Sequence, residues 1–147
     1  MDAEVTDPQA IAERVRRTMQ ARDTASRMLG ITIEAIAPGR AVARMTVRED
    51  MLNGVATCHG GLVATLADTA FAYGCNARDE LTVASGFAIE LLAPARLGDV
   101  LTASCTEQHR AGRTGVYDVE VVNQRGERVA IFRGRSHAIK GRSVSTG

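Results

Sequence analysis

The chain has 147 residues, 45% of them hydrophobic, which is enough to build the core of one domain, expected to span residues 1–147 with an ordered part from about 8 to 140. Its 18 Lys and Arg offset 17 Asp and Glu to a net charge of +1, and aromatics are 3% of the chain. Neither a field for a polyanion nor stacking platforms for bases are therefore available, and nucleic acid is not an expected partner. No apolar run reaches the roughly 20 residues of a bilayer span. The acidic start (Asp2, Glu4, Asp7) does not read as a secretory signal, so a soluble cytoplasmic protein is expected, with no membrane partner. Cys58, Cys75 and Cys105 are odd in number and widely spaced, which fits a reducing compartment better than a disulfide framework.

Taken in chain order, Asp7-Pro8 reads as an N-cap and first helical position, and Ile11, Val15 and Met19 follow on one face. The pattern predicts a helix over about 8–29, with a break near Asp23 and a stop at Gly30. Alternation at Ile31, Ile33 and Ala35, a turn at Pro38-Gly39, and a second run from Ala41 to Val47 predict a strand hairpin. Residues 48–58 read as a loop turning at Asn53-Gly54. From His59 to Asn76 the chain is HGGLVATLADTAFAYGCN, rich in Ala and Leu and without β alternation, so it is the expected central helix. Four strand-like runs follow, at Thr82 to Leu92, Asp99 to His109, Thr114 to Asn123 and Glu127 to Ile139, separated by short turns. The closing stretch from Gly141 to Gly147 is expected to be disordered.

A long apolar helix followed by hairpin-linked strands predicts α+β architecture, with one antiparallel sheet packed on a helix. A curved sheet wrapped around a single long helix is the hotdog arrangement, although these patterns alone leave other α+β folds open.

Within the central helix the unusual residue is Asp68, a carboxylate in an apolar segment, flanked on its face by the small residues Gly61, Ala64, Ala72 and Cys75. It is either a solvated helix side chain or a functional one. Gly60-Gly61 at the helix start offers free N–H groups at the positive end of a helix dipole, suited to a developing oxyanion, or simply allows a tight entry into the helix. The two features stand roughly 12 Å apart at 1.5 Å per residue. If both act on one carbonyl, a second copy of the helix must bring Gly60 to Asp68, and the protein is at least a dimer. Cys58 beside His59 is not the separated pairing expected of a nucleophilic dyad. His109 and His137 lack metal-ligand spacing, and no metal is expected.

The blocks MLNG (Met51 to Gly54), CHGG (Cys58 to Gly61), LADTAFAYGCN (Leu66 to Asn76), TGVYDVEVVNQ (Thr114 to Gln124) and FRGRSH (Phe132 to His137) occur in order, and the chain resembles the hotdog-fold acyl-CoA thioesterases of the phenylacetate-degradation (PaaI) type. The resemblance covers most of the chain. It implies hydrolysis of a thioester, with a hydroxylated phenylacetyl or related aromatic acyl-CoA as substrate. Asp68 then corresponds to the catalytic carboxylate, as general base or nucleophile, and Gly60 to the N–H that polarises the carbonyl. His59 and Asn53 match polar residues shaping the site, and Thr69 a hydroxyl beside the carboxylate. Gly61 and Tyr73 are candidate substrate contacts, and Arg133, Arg135 and Arg113 are candidates for the phosphates of coenzyme A, which belongs to the substrate; no separate cofactor is implied. The implied assembly is a homodimer with shared sites, paired into a homotetramer. The rival readings are a hydroxyacyl-thioester dehydratase and a non-enzymatic acyl-CoA binding module.

Overall fold

The structure, a computed structural model, describes residues 6–146. Asp7 caps the first helix, α1 (Pro8–Arg22), by accepting the Ala10 N–H at 2.9 Å. The break expected near Asp23 is real and has a cause: the Asp23 carboxylate accepts from the N–H and hydroxyl of Ser26 at 3.2 and 2.7 Å, capping a separate short helix, α2 (Thr24–Leu29). Gly30, at φ 68°, ends it in the left-handed region, where glycine carries no Cβ penalty.

The hairpin comprises β1 (Thr32–Ala37) and β2 (Arg40–Thr46), and the loop beyond it contains a 3-10 turn at Glu49–Met51. The central helix, α3, runs Gly60–Asn76 with His59 as its N-cap. It is followed by β3 (Thr82–Leu91), β4 (Val100–Ala111), β5 (Thr114–Val122) and β6 (Arg128–Ala138). The six strands form one open antiparallel sheet in the order β1-β2-β4-β5-β6-β3. Strand ends differ from the sequence expectation by one or two residues, as terminal pairing commonly does.

One sheet face packs on α3. Leu66 and Phe71 of the helix are fully buried against it, and Phe71 meets Tyr117 and Phe132 edge-on or tilted, at 5.5 and 5.8 Å between ring centroids. Gly134 is required by this contact, because a Cβ there would sit 2.9 Å from the Phe71 ring. Along β6 the alternation is regular: Phe132, Gly134, Ser136 and Ala138 turn inward, while Arg133, Arg135 and His137 turn to solvent.

The C-terminal expectation needs correction for residues 141–146. Val144 is buried, Leu81 donates its N–H to the Arg142 carbonyl at 3.0 Å, and Ser145 donates its N–H and its hydroxyl to Asp79. A stretch rich in glycine and serine is ordered by one apolar side chain and one carboxylate partner 66 residues upstream, neither visible as local periodicity.

Candidate active site

The loop before α3 is built around Asn53. Its side-chain carbonyl accepts from the N–H groups of Val55 and Thr57, both at 3.0 Å, and its amide donates to the Thr57 hydroxyl at 2.9 Å. Cys58 donates its N–H to the Ala95 carbonyl at 2.8 Å and His59 donates to Met51 at 2.9 Å, which fixes how the chain enters the helix. The His59 side chain is exposed and makes no capping bond. Gly60 and Gly61 follow, and among the described residues their N–H groups donate to no protein acceptor, as expected for the first turn of a helix.

Gly60 lines a cavity of about 270 Å³ together with Asn53, Thr57, Leu91 and Pro94, among others. Leu91 leans so closely over Gly60 that a Cβ at this position would run into its side chain, whereas a Cβ at Gly61 would have nothing within 4 Å. Gly60 is therefore glycine for packing as well as for any role of its N–H. Nothing in this chain demands glycine at position 61.

Two turns further along α3, Asp68 is half-buried and forms no hydrogen bond or ion pair among the described residues. Desolvation by burial pushes its carboxyl above the usual carboxylate range, and the negative charge of Asp23 pushes it the same way. A carboxylate held without a partner and with raised proton affinity is suited to take a proton from water.

The other candidates fall in different places. Thr69 is buried and donates its hydroxyl to the Thr65 carbonyl of its own helix at 2.7 Å. Tyr73 is also buried, its hydroxyl donating to Asp23 at 3.1 Å, toward the far end of α3 from Gly60. Arg133 and Arg135 stand on the sheet face away from α3; Arg133 makes a two-pronged ion pair with Asp118 at 2.7 and 2.8 Å, and the Arg135 guanidinium lies over Gly86. Arg113 sits in the β4–β5 turn, exposed. The chain thus unites Asn53, His59, Gly60 and Gly61 at the helix start and leaves Asp68 about 12 Å away. Asp23 emerges as a residue acting on the site; in the sequence it was legible only as a helix break. The Leu91 to Ala95 wall had no signal, because the pairing of β3 with β6 brings it there. Among the described residues no cluster of His, Cys, Asp or Glu has the arrangement of a metal site, and no helix is long and apolar enough to cross a membrane.

An open antiparallel sheet wrapped on one long helix, with free N–H groups at the helix start and an unpartnered carboxylate two turns on, defines a hotdog-fold enzyme. Residues 56–130 match the family model described as the thioesterase superfamily. The chain is 49% identical over 123 residues to the acyl-coenzyme A thioesterase PaaI of Escherichia coli K12, covering 84% of this chain and 88% of that protein. The structure of the E. coli PaaI protein from the phenylacetic acid degradation operon superposes with a TM-score of 0.90 at 45% identity, covering 92% of this chain and 99% of that one. A hypothetical thioesterase from Streptococcus pneumoniae TIGR4, solved with coenzyme A, matches with a TM-score of 0.79 at 26% identity, over 85% of this chain and 99% of that one. The chain belongs to the thioesterase superfamily, and it is a thioester hydrolase.

Proposed function

We propose that the chain hydrolyses an acyl-CoA thioester to the free acid and CoA, with (hydroxy)phenylacetyl-CoA or a related aromatic acyl-CoA as its substrate. The observation that carries this reading is Asp68, a half-buried carboxylate of raised proton affinity with no partner among the described residues. The likeness to the E. coli enzyme and to the coenzyme A complex supports the substrate class. A second copy of the chain places its Gly60 beside Asp68. Asp68 takes a proton from water as the water oxygen adds to the thioester carbonyl; in the alternative its own oxygen adds to that carbon, and after the thiolate leaves, water hydrolyses the acyl–aspartyl anhydride to the free acid and restores the carboxylate. The Gly60 N–H meets the oxyanion, the C–S bond breaks, and the thiolate leaves with a proton. His59 and Asn53 shape this loop, and Thr69 fixes the local helix. Two such dimers pair into a tetramer, the protein works in the cytoplasm, and the chemistry needs no metal or other cofactor.

The test is thiol release from a panel of acyl-CoA esters after treatment with a chelator. Release of CoA from arylacetyl esters, with no loss of water across the acyl chain, is expected. Loss of activity on chelation that zinc restores would sink the metal-free mechanism. Elimination without thiol release would mean a dehydratase, and stoichiometric binding without turnover would mean a binding module.

A further inference from the structure

A cleft of about 490 Å³ beside α3 has Met19, Ala72, Leu81 and Val144 in its walls. Its size falls within the roughly 300–1,000 Å³ range of small-molecule pockets. Ala72 lies four residues after Asp68 and so on the same helix face, about 6 Å further along the axis. Asp23, another wall residue, is close enough for its charge to act on Asp68. The cleft therefore begins about one helical turn beyond Asp68, which is not itself in its wall.

What the cleft offers a ligand is mainly apolar surface, with the Arg22 and Arg142 side chains also in its walls and several of its other polar groups bonded within the protein. The Asn76 amide donates to the carbonyls of Ala72 and Thr82 at 2.8 and 3.0 Å and accepts the Thr82 N–H at 2.8 Å. Asp23 is held by Ser26 and Tyr73, and the Ser143 hydroxyl pairs with Thr146. One wall is the C-terminal segment, and it is anchored: Val144 is buried, Ser145 is bound through both its N–H and hydroxyl to Asp79, and Asp79 is held in turn by Arg14 at 3.1 Å. A wall fixed at this many points selects by size.

We propose that residues 141–146 form the wall that measures the acyl group, with Val144 as the residue setting the size accepted, so that the enzyme favours a ring or a medium-length chain over acetyl. This rests on the reading of Asp68 as the point of thioester cleavage. A thioester carbonyl has two arms. The smaller cavity at Gly60 has the more polar lining of the two and suits the amide-bearing arm of coenzyme A, which leaves the mainly apolar cleft for the acyl group.

The experiment compares kcat/KM for acetyl-, hexanoyl-, phenylacetyl- and decanoyl-CoA in the parent, Val144→Phe, Val144→Ala and a chain ending at Lys140, each checked for fold by circular dichroism and for size by gel filtration. Val144→Phe should lower phenylacetyl and decanoyl turnover by about tenfold or more relative to acetyl, and Val144→Ala should move the preference toward decanoyl. The shortened chain should lose most of the discrimination. Unchanged ratios in both folded Val144 variants overturn the proposal, as does a shortened chain whose only change is its assembly. A parent that cleaves none of the four esters defeats the proposed activity itself and takes this inference with it, an outcome distinct from an active parent whose ratios do not move.

Discussion

The sheet has two edges, and the chain treats them differently. At one edge, β1 has six residues and is covered by α1, whose Gln9 amide donates to the Ile36 carbonyl at 2.8 Å and whose Arg16 guanidinium reaches the Ile33 carbonyl at 3.5 Å. At the other, β3 has ten residues, and beyond Thr82 no side chain among the described residues donates to one of its carbonyls. Val83, Phe87 and Leu91 on β3 are 47, 49 and 54% exposed, large apolar groups on a long free edge. Free edges are usually blunted by charge, proline or cover. An edge left long, apolar and uncovered invites pairing with another chain, and the edge that is open is the one that ends at Leu91, over Gly60. In the proposed dimer the same edge would bear on both assembly and the shared site.

The sharpest way to break this contrast acts on the site itself. Asp68→Asn preserves size and hydrogen bonding but removes the base or nucleophile, and turnover should fall at least about a hundredfold with the fold intact. Gly60→Pro deletes the N–H and should cost roughly 3 kcal/mol in the transition state. Because any Cβ at Gly60 meets Leu91, Gly60→Ala is the necessary control: it keeps the N–H and adds the clash. If the alanine variant is as inactive as the proline one, Gly60 serves packing and not the oxyanion. Mixing Asp68→Asn and Gly60→Pro subunits should restore activity toward half of the parent per heterodimer, since one site receives both lesions and the other neither. Verified heterodimers as inactive as their parents would end the shared-site model.

The next effect is on assembly. Val83→Lys with Phe87→Lys puts charge on the open edge, and the protein should shift to monomer in sedimentation, with activity falling about tenfold or more at dilute concentration. Ala35→Lys on the covered edge should change neither. Dissociation caused equally by both would show that the two edges do not differ in function.

Part of this was legible in the sequence because it is local. The capping of α1, the break at Asp23, the stop at Gly30 and the length of α3 follow from helix chemistry within a few residues. The strands were legible as alternation, and β6 shows it regularly. The strand order was not, since β3 pairs with β6 across two intervening strands. For the same reason nothing local announced Leu91 over Gly60, or Asp79 holding Ser145. Asp68 was conspicuous as a charge in an apolar helix; Asp23, which raises its proton affinity, was not, because the two meet only through packing.

That packing makes a smaller, signed prediction. In the proposed mechanism Asp68 must be ionised to act, and its carboxyl lies above the ordinary range through desolvation first and Asp23 second. Activity should therefore fall as pH drops through a value above that of an exposed carboxylate. Asp23→Asn removes the second cause, so the acid limb of kcat/KM should move to lower pH, with a gain of a few fold on that limb and little change at neutral pH. A limb that stays in place would mean that another group controls it. Tyr73 loses a charged acceptor in this variant, so its fold is checked alongside.

The smallest effect is expected at Cys58, which stands between the Asn53 loop and Gly60 and is the residue nearest the helix start that a nucleophilic mechanism would choose. The structure argues against that role on three counts. The side chain is buried at 6% exposure, its Sγ faces the His59 carbonyl at 3.6 Å, and burial pushes its thiol above the ordinary value. The thiolate is the reactive form, so at neutral pH a thiol shifted upward is a poorer nucleophile than an exposed one. The neighbouring His59 does not reverse this, because its side chain is exposed and bonds to nothing here, whereas an activating base has to reach the sulfur. Cys58→Ser is close in volume and can donate to the same carbonyl, so turnover should stay within about threefold of the parent and stability should fall by about 1 kcal/mol for placing a hydroxyl in an apolar setting. Steady-state kinetics with thermal melting checks both. A thousandfold loss with unchanged melting would move the chemistry from the carboxylate to the thiol, and with it the reason for a second copy at the open edge.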